Sequence, residues 1–176
     1  VPLDEALDCV TSVPLVADEP VPPFANSAMD GYAVRAADTA AAPVSLRVVG
    51  ALAAGADPTG LRVEPGTAVR IMTGAAVPDG ADAVVMVEHT VSEDGGSRVR
   101  VERRVDPGEH VRPAGDDIAP GQEVFPAGTV LGPGHLGVLA SLGYVRVPVY
   151  PRARVGVLST GDELVDGPTE LRPGQT

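Results

Sequence analysis

Four polar corners recur along the chain, each where an extended segment meets glycine. The first is Asn26-Ser27-Ala28-Met29-Asp30-Gly31-Tyr32-Ala33-Val34, a carboxylate at a sharp turn beside small polar side chains and an aromatic ring. Gly31 reads there as the residue that accepts backbone angles closed to others. The second is Met72-Thr73-Gly74-Ala75, where a hydroxyl and free amides at a strand end can hold an oxyanion. The third joins Arg112 to Gly115-Asp116-Asp117-Ile118, an arginine fork suited to phosphate or carboxylate and two acids suited to a hard cation. The fourth is Ser159-Thr160-Gly161-Asp162-Glu163, again carboxylates beside small polar residues. Taken one at a time, such corners are more often plain turns, caps or surface ion pairs than sites. Carboxylates without convergent histidines favour Mg2+ over Zn2+. His89, His110 and His135 lie far apart without metal-ligand spacing, and His89 is expected to face solvent. The sequence contains no Walker loop, nucleophile elbow or cysteine pair.

Composition limits what can carry these corners. The 176 residues suffice for one domain or two small ones. Hydrophobic residues make up 44% and aromatics only 3%, so the core must be built from Val, Leu, Ile and Ala. With 21 Gly and 18 Pro, the chain calls for short strands and many turns. The net charge of −11, with arginine as the only basic residue besides histidine, argues against nonspecific nucleic-acid binding and against anionic membranes. Cys9, the single cysteine, sits in an apolar pattern and is expected in the core; no internal disulfide can form, which suits a reducing compartment. No apolar run is as long as a membrane span. The chain starts at Val1 with no signal-peptide pattern and reads as a fragment.

The elements that must position the corners are mostly β. Residues 2–10 read as a short helix with Leu3, Ala6, Leu7 and Val10 on one face. A brief strand is expected at 14–16, then strands at 32–34, 44–49, 67–72 and 83–87. The last is apolar enough to be buried on both faces. Glu93-Asp94-Gly95-Gly96 predicts a hairpin turn into a half-exposed strand at 98–101. Beyond residue 118, residues 122–130 read as β, 134–143 as a helix closed by Gly143, and 145–149 as a strand demoted to an edge by Pro148. Residues 154–159 read as a buried strand opening an α/β unit. A parallel-type strand cannot bury itself, so residues beyond about 152 are expected to lean on the rest of the chain, pair with another copy or move freely.

In order, PPFANSAMDGYAV (22–34), VRIMTGAAVPDGADAVVMVE (69–88), GEHVRPAGDDI (108–118), FPAGTVLGPGHLGVLASLG (125–143) and RVGVLSTGDELV with LRPGQ (154–165 and 171–175) resemble the successive blocks of the molybdopterin molybdenumtransferase family. Its eukaryotic relatives include the C-terminal domain of gephyrin. The resemblance runs almost end to end. Ala25 stands where the family usually has an acid, and Thr176 where an aliphatic residue is commoner.

The resemblance implies insertion of molybdate into adenylated molybdopterin with release of AMP, supported by Mg2+. It implies a cytoplasmic homodimer whose cleft combines the α/β domain of one subunit with a lobe of the other. Molybdopterin adenylyltransferase would act upstream. Carried over by motif, Asp30, Thr73, Asp117 and Glu163 are candidate catalytic residues. Arg112, Ser27, Thr160, Gly161 and Asp162 are candidate cofactor-binding residues, and Asp30, Asp117 and Glu163 candidate metal ligands. The implied fold class is α+β, predominantly β. A β-rich lobe (24–117) is inserted into a mixed helix and strand lobe (1–23 and 118–151) used for dimerisation, in an elongated two-lobe arrangement. The truncated start of the molybdopterin-binding α/β domain follows (152–176), so the chain alone is expected to be inactive. Two other readings stand beside this one: a non-catalytic scaffold or dimerisation module of the same family, and a β-rich binding domain unconnected with molybdenum.

Overall fold

Alternation of apolar residues builds a sheet with two buried faces. In the computed structural model, which describes residues 1–167 and 170–176, strands run as β1 (Leu15–Val16), β2 (Asn26–Ser27), β3 (Gly31–Val34), β4 (Val44–Leu52), β5 (Thr67–Ile71), β6 (Ala83–Met86), β7 (Thr90–Glu93), β8 (Arg98–Val101), β9 (Val111–Arg112) and β10 (Glu123–Phe125). The largest sheet has six strands in the order β6-β3-β5-β4-β8-β7. Successive side chains on a strand point to opposite faces. Accordingly Tyr32, Val34, Ala68, Ala83 and Val85 join Leu46, Val99 and Val101 in one core. Ala33, Val69, Ile71 and Val84 join Leu52, Val63 and Ala75 in another. This is why β6 lacks a polar alternation, as its sequence implied.

One neighbour pair was not readable from the chain. β4 and β5 are consecutive yet parallel, which requires a crossover of a dozen or more residues. Residues 53–66 supply it, and Leu61 and Val63 from this crossover cover the second core. Gly50 leaves room for Leu61, whose Cδ2 lies 2.5 Å from where a Cβ would stand.

The first fifteen residues and residues 125–149 form a third cluster. Ala6 and Leu15 pack with Leu131, Leu139 and Val147, and β1 pairs antiparallel with β10. The helix α1 (Pro133–Ser141) starts with Pro133, and His135 Nδ1 accepts from the Gly132 N–H at 2.9 Å. It ends as expected at Gly143, with φ 77° and the Tyr144 N–H bonded to the Leu139 carbonyl at 3.0 Å.

Several expected elements differ. Residues 2–10 form only a 3-10 turn at Leu3–Glu5. Their N–H groups go elsewhere, Leu3 to the Val145 carbonyl and Asp8 to that of Leu131. Asp8 is left-handed at φ 60°, and Leu7 is exposed rather than sharing a buried face. Tertiary bonds thus outcompete the i to i−4 ladder in a segment too short to nucleate a helix. Residues 145–149 make isolated bridges, Pro2 to Arg146 and Thr11 to Val149, instead of a strand; Pro148 has no N–H to give a ladder. Residues 154–159 form no strand, with Val155, Val157 and Leu158 at 82%, 91% and 87% exposure. His89, expected to face solvent, is partly buried in the 3-10 turn Val87–His89. β7 is a strand that the sequence pattern does not predict. The overall content is mostly β with little helix, and Cys9 is a buried free thiol as expected.

Candidate functional site

β2 is the hub of three of the four corners. On one side it pairs with β9, placing Asn26 opposite Arg112 and Ser27 opposite Val111. On the other, the Ser27 N–H donates to the Ala75 carbonyl at 3.0 Å and the Gly74 N–H to the Ser27 carbonyl at 2.8 Å. Gly74 has φ 81°, the left-handed conformation that turns the chain after Thr73. Asn26 and Ser27 are buried, which fits backbone polar groups bonded on both sides. The Ser27 hydroxyl donates to the Met29 carbonyl at 2.6 Å, so this side chain shapes the Asn26–Asp30 loop from within.

Asp30 and Thr73 meet directly. Asp30 Oδ1 accepts from the Thr73 N–H at 2.7 Å and from the Thr73 hydroxyl at 2.8 Å. These two bonds, the backbone one first, hold the Asp30 carboxyl below its ordinary range, with the Arg70 charge adding to them. Asp30 is exposed, and its second oxygen has no protein donor among the described residues. The pair therefore presents a fixed, ionised carboxylate with one oxygen available to a ligand.

Gly31 is needed for a different reason from the one its sequence suggested. It is absent from the left-handed glycines and begins β3. A Cβ there would overlap the Val85 carbonyl oxygen and lie 2.8 Å from its carbon. Close approach of β6, not turn geometry, selects glycine.

The Arg112 corner is equally defined. Arg112 donates through Nη2 to Asp117 Oδ1 at 2.7 Å and through Nε to Asp116 Oδ2 at 3.3 Å. Those carboxylates raise the Arg112 pKa, Asp117 first. The loop is held by the Gly115 N–H on the Pro22 carbonyl and the Asp117 N–H on that of Val21, both at 2.9 Å. One cation against two anions leaves this group at net −1, so an anionic ligand must displace a carboxylate or arrive with a positive partner. A groove of about 410 Å3, lined by Phe24, Ala25, Asp57, Pro58, Ala76 and Val77, adjoins the β2 segment. Its walls are largely apolar, so anion-handling groups belong to the corners.

The fourth corner stands apart. Thr160, Gly161, Asp162 and Glu163 are exposed. Their segment closes on itself, with the Thr176 N–H on the Glu163 carbonyl at 2.8 Å and the Leu164 N–H on that of Gly161 at 3.1 Å. Among the described residues no three or more His, Cys, Asp or Glu side chains gather as a metal site. Asp30, Asp117 and Glu163 are therefore not gathered into one such group among the described residues.

Sequence reading missed Arg70. It lies across from Tyr32 in the β3–β5 pair and donates to the Gly31 carbonyl at 2.9 Å. Only the strand register reveals that contact.

The Asp30–Thr73 pair gives an acid-side expectation. A carboxyl whose folded pKa is depressed stabilises the fold above its unfolded value of about 3.9, and that contribution is lost as pH falls through the folded value. Thr73→Val removes the hydroxyl donor and keeps the N–H. The Asp30 pKa should rise toward the ordinary value, and acid unfolding should begin at higher pH within the window below about pH 4. Carboxyl carbon NMR titration reads the first effect directly; an unshifted Asp30 would contradict the geometry.

Sheet, ladder and corners together define a mostly β module in which three of the four polar corners meet around β2. The chain belongs to the family described as MoeA N-terminal region (domain I and II), whose family model matches residues 1–143. Molybdopterin molybdenumtransferase 2 of Mycobacterium tuberculosis (strain ATCC 25618 / H37Rv) is 47% identical over 180 residues, covering 99% of this chain and 44% of that protein. Molybdopterin molybdenumtransferase of Bacillus subtilis (strain 168) is 40% identical over 181 residues, with 99% and 42% covered. The crystal structure of the molybdopterin biosynthesis moeA protein from Pyrococcus horikoshii OT3 matches with a TM-score of 0.85 at 38% identity, over 97% of this chain and 45% of that one. The chain thus spans less than half the length of these relatives. No helix among its described residues is long and apolar enough to cross a membrane.

Proposed function

We propose that this chain is the N-terminal part of a molybdopterin molybdenumtransferase, which inserts molybdate into adenylated molybdopterin and releases AMP. The observation that carries the reading is the joint placement of the Asp30–Thr73 and Arg112–Asp117 pairs around β2, in a chain whose similar proteins bear that name along 99% of its length. Asp30 orients a ligand through its free oxygen. Arg112, exchanging a carboxylate for a substrate oxyanion, holds phosphate or molybdate. Thr73 keeps Asp30 in place, and Ser27 shapes the loop between them.

The proposal extends to the arrangement of the whole protein. Residues 24–117 form the inserted β-rich lobe, and 1–23 with 118–151 the dimerisation lobe of a two-lobed cytoplasmic homodimer. Residues 152–176 open the molybdopterin-binding α/β domain. The exposed apolar residues Val155, Val157 and Leu158 support that last point, since they need a sheet to cover them. Thr160, Gly161, Asp162 and Glu163 then line the cofactor side of a cleft completed by a second subunit. Mg2+ suits the oxygen donors of Asp30, Asp117 and Glu163, yet one chain does not assemble them. Molybdopterin adenylyltransferase supplies the adenylated substrate, and these 176 residues alone do not turn over.

The test is molybdenum transfer by the full-length protein. It is incubated with adenylated molybdopterin, Mg2+ and molybdate, and the product is scored by reconstituting an apo-molybdoenzyme. Reconstitution that depends on the protein is expected. Binding of the pterin with no reconstitution would favour the scaffold reading instead.

A further inference from the structure

We propose that Arg70 is a positioning residue of this site, fixing the backbone where Asp30 leaves the sheet. The inference deepens the transferase reading and rests on it for its kinetic consequence. Its structural part stands on four contacts. Arg70 faces Tyr32 directly across the β3–β5 pair. Its guanidinium carbon lies 5.1 Å from the centroid of the Tyr32 ring, within range of a cation–π interaction. Arg70 Nη1 donates to the Gly31 carbonyl at 2.9 Å. The Asp30 carbonyl just before it accepts from the Val87 N–H at 3.0 Å.

These contacts end the sheet in a particular way. Gly31 is the first residue of β3, in register with Ile71 of β5 and Met86 of β6, and its carbonyl takes the Arg70 guanidinium as a side-chain donor. Among the described residues Arg70 forms no ion pair with a carboxylate. A half-buried guanidinium is thus held by an aromatic face and a carbonyl, both from β3. Arg70 and Thr73 stand three residues apart at the end of β5 and brace two consecutive residues. Thr73 holds the Asp30 side chain, and Arg70 holds the Gly31 backbone that sets its direction. A planar fork can stack and donate at once, which an ammonium cannot do.

Two variants and two readouts test this. In the 176-residue chain, amide exchange at Thr73 reports the bond to Asp30, with the amides of the β4–β8 pair as the global reference. Arg70→Met should raise Thr73 exchange about tenfold beyond that reference, the loss of one charged hydrogen bond at about 1.4 kcal/mol per tenfold. Arg70→Lys should recover part of the protection. In the full-length protein, Arg70→Met should lower kcat for adenylate release about tenfold, with KM for molybdate within about twofold, because a displaced group costs rate without removing a binding contact. Equal loss of protection at Thr73 and in the β4–β8 pair would mean plain destabilisation and overturn the proposal, as would unchanged Thr73 exchange. If the wild-type protein releases no adenylate, the transferase reading falls, while the exchange experiment still decides the role of Arg70.

Discussion

Gly31→Ala is expected to cost the fold about 3 kcal/mol or more, at the upper end of overpacking penalties. The added methyl would overlap the Val85 carbonyl oxygen and crowd the Val85 carbonyl carbon at 2.8 Å and the Met86 Cα at 3.1 Å. All three are backbone atoms, so no rotamer change relieves the clash. β3 and β6 would have to separate, breaking the register that pairs Gly31 with Met86 and Tyr32 with Val85. That register aligns Val84 and Val85, which are fully buried in opposite cores. At about 2–4 °C per kcal/mol for a chain of this size, the unfolding midpoint should fall by about 6–12 °C. Gly137→Ala gives the contrast. Gly137 lies inside α1 with no atom within 4 Å of the place an alanine methyl would take, so alanine there should stabilise by about 0.5–1 kcal/mol. Paired thermal melts of the two variants settle the point. A Gly31→Ala midpoint close to the wild-type value would mean that β6 does not approach β3 as described.

Asp30→Asn should remove chemistry while sparing the fold. The amide oxygen can still accept from the Thr73 N–H and hydroxyl, which now bind Oδ1 at 2.7 and 2.8 Å. The charge is lost, and the free oxygen position can become an N–H donor facing an anionic substrate. In the full-length protein the rate of adenylate release should fall by roughly a hundredfold or more, the usual scale for a positioned acid or base. The melting midpoint should stay within about 2 °C, because an exposed site carries little of the stability. A rate within about threefold of wild type would remove Asp30 from the chemistry, since a positioned acid or base contributes far more than that.

How far the sequence alone leads depends on the range of the interaction. Short apolar runs bounded by turn residues are local signals, as is the alternation at 98–101, and they place β3, β4, β5, β6 and β8 within a few residues. Gly143 marked the helix end because a left-handed C-terminal glycine is a local requirement. The pairing of Asp30 with Thr73 spans 43 residues, and no local pattern encodes it. Motif resemblance singled out both residues without showing that they touch. Arg70 went unnoticed for the same reason, since its role exists only through the β3–β5 register. Gly31 was selected correctly and explained wrongly, because a turn signal and a close strand approach both demand glycine. The N-terminal helix does not form because two of its donors, the Leu3 and Asp8 N–H groups, are claimed by the carbonyls of Val145 and Leu131, far away in the sequence. The strand expected at 154–159 has the right composition, and its apolar residues stand exposed with no neighbouring strand.

The most direct test of the central claim is adenylate release by the full-length protein from adenylated molybdopterin, with and without molybdate, at saturating Mg2+. Release that requires molybdate and ends with molybdenum on the pterin is the predicted result. Release at the same rate without molybdate, or none with all components present, would contradict the assignment of this site to molybdenum insertion.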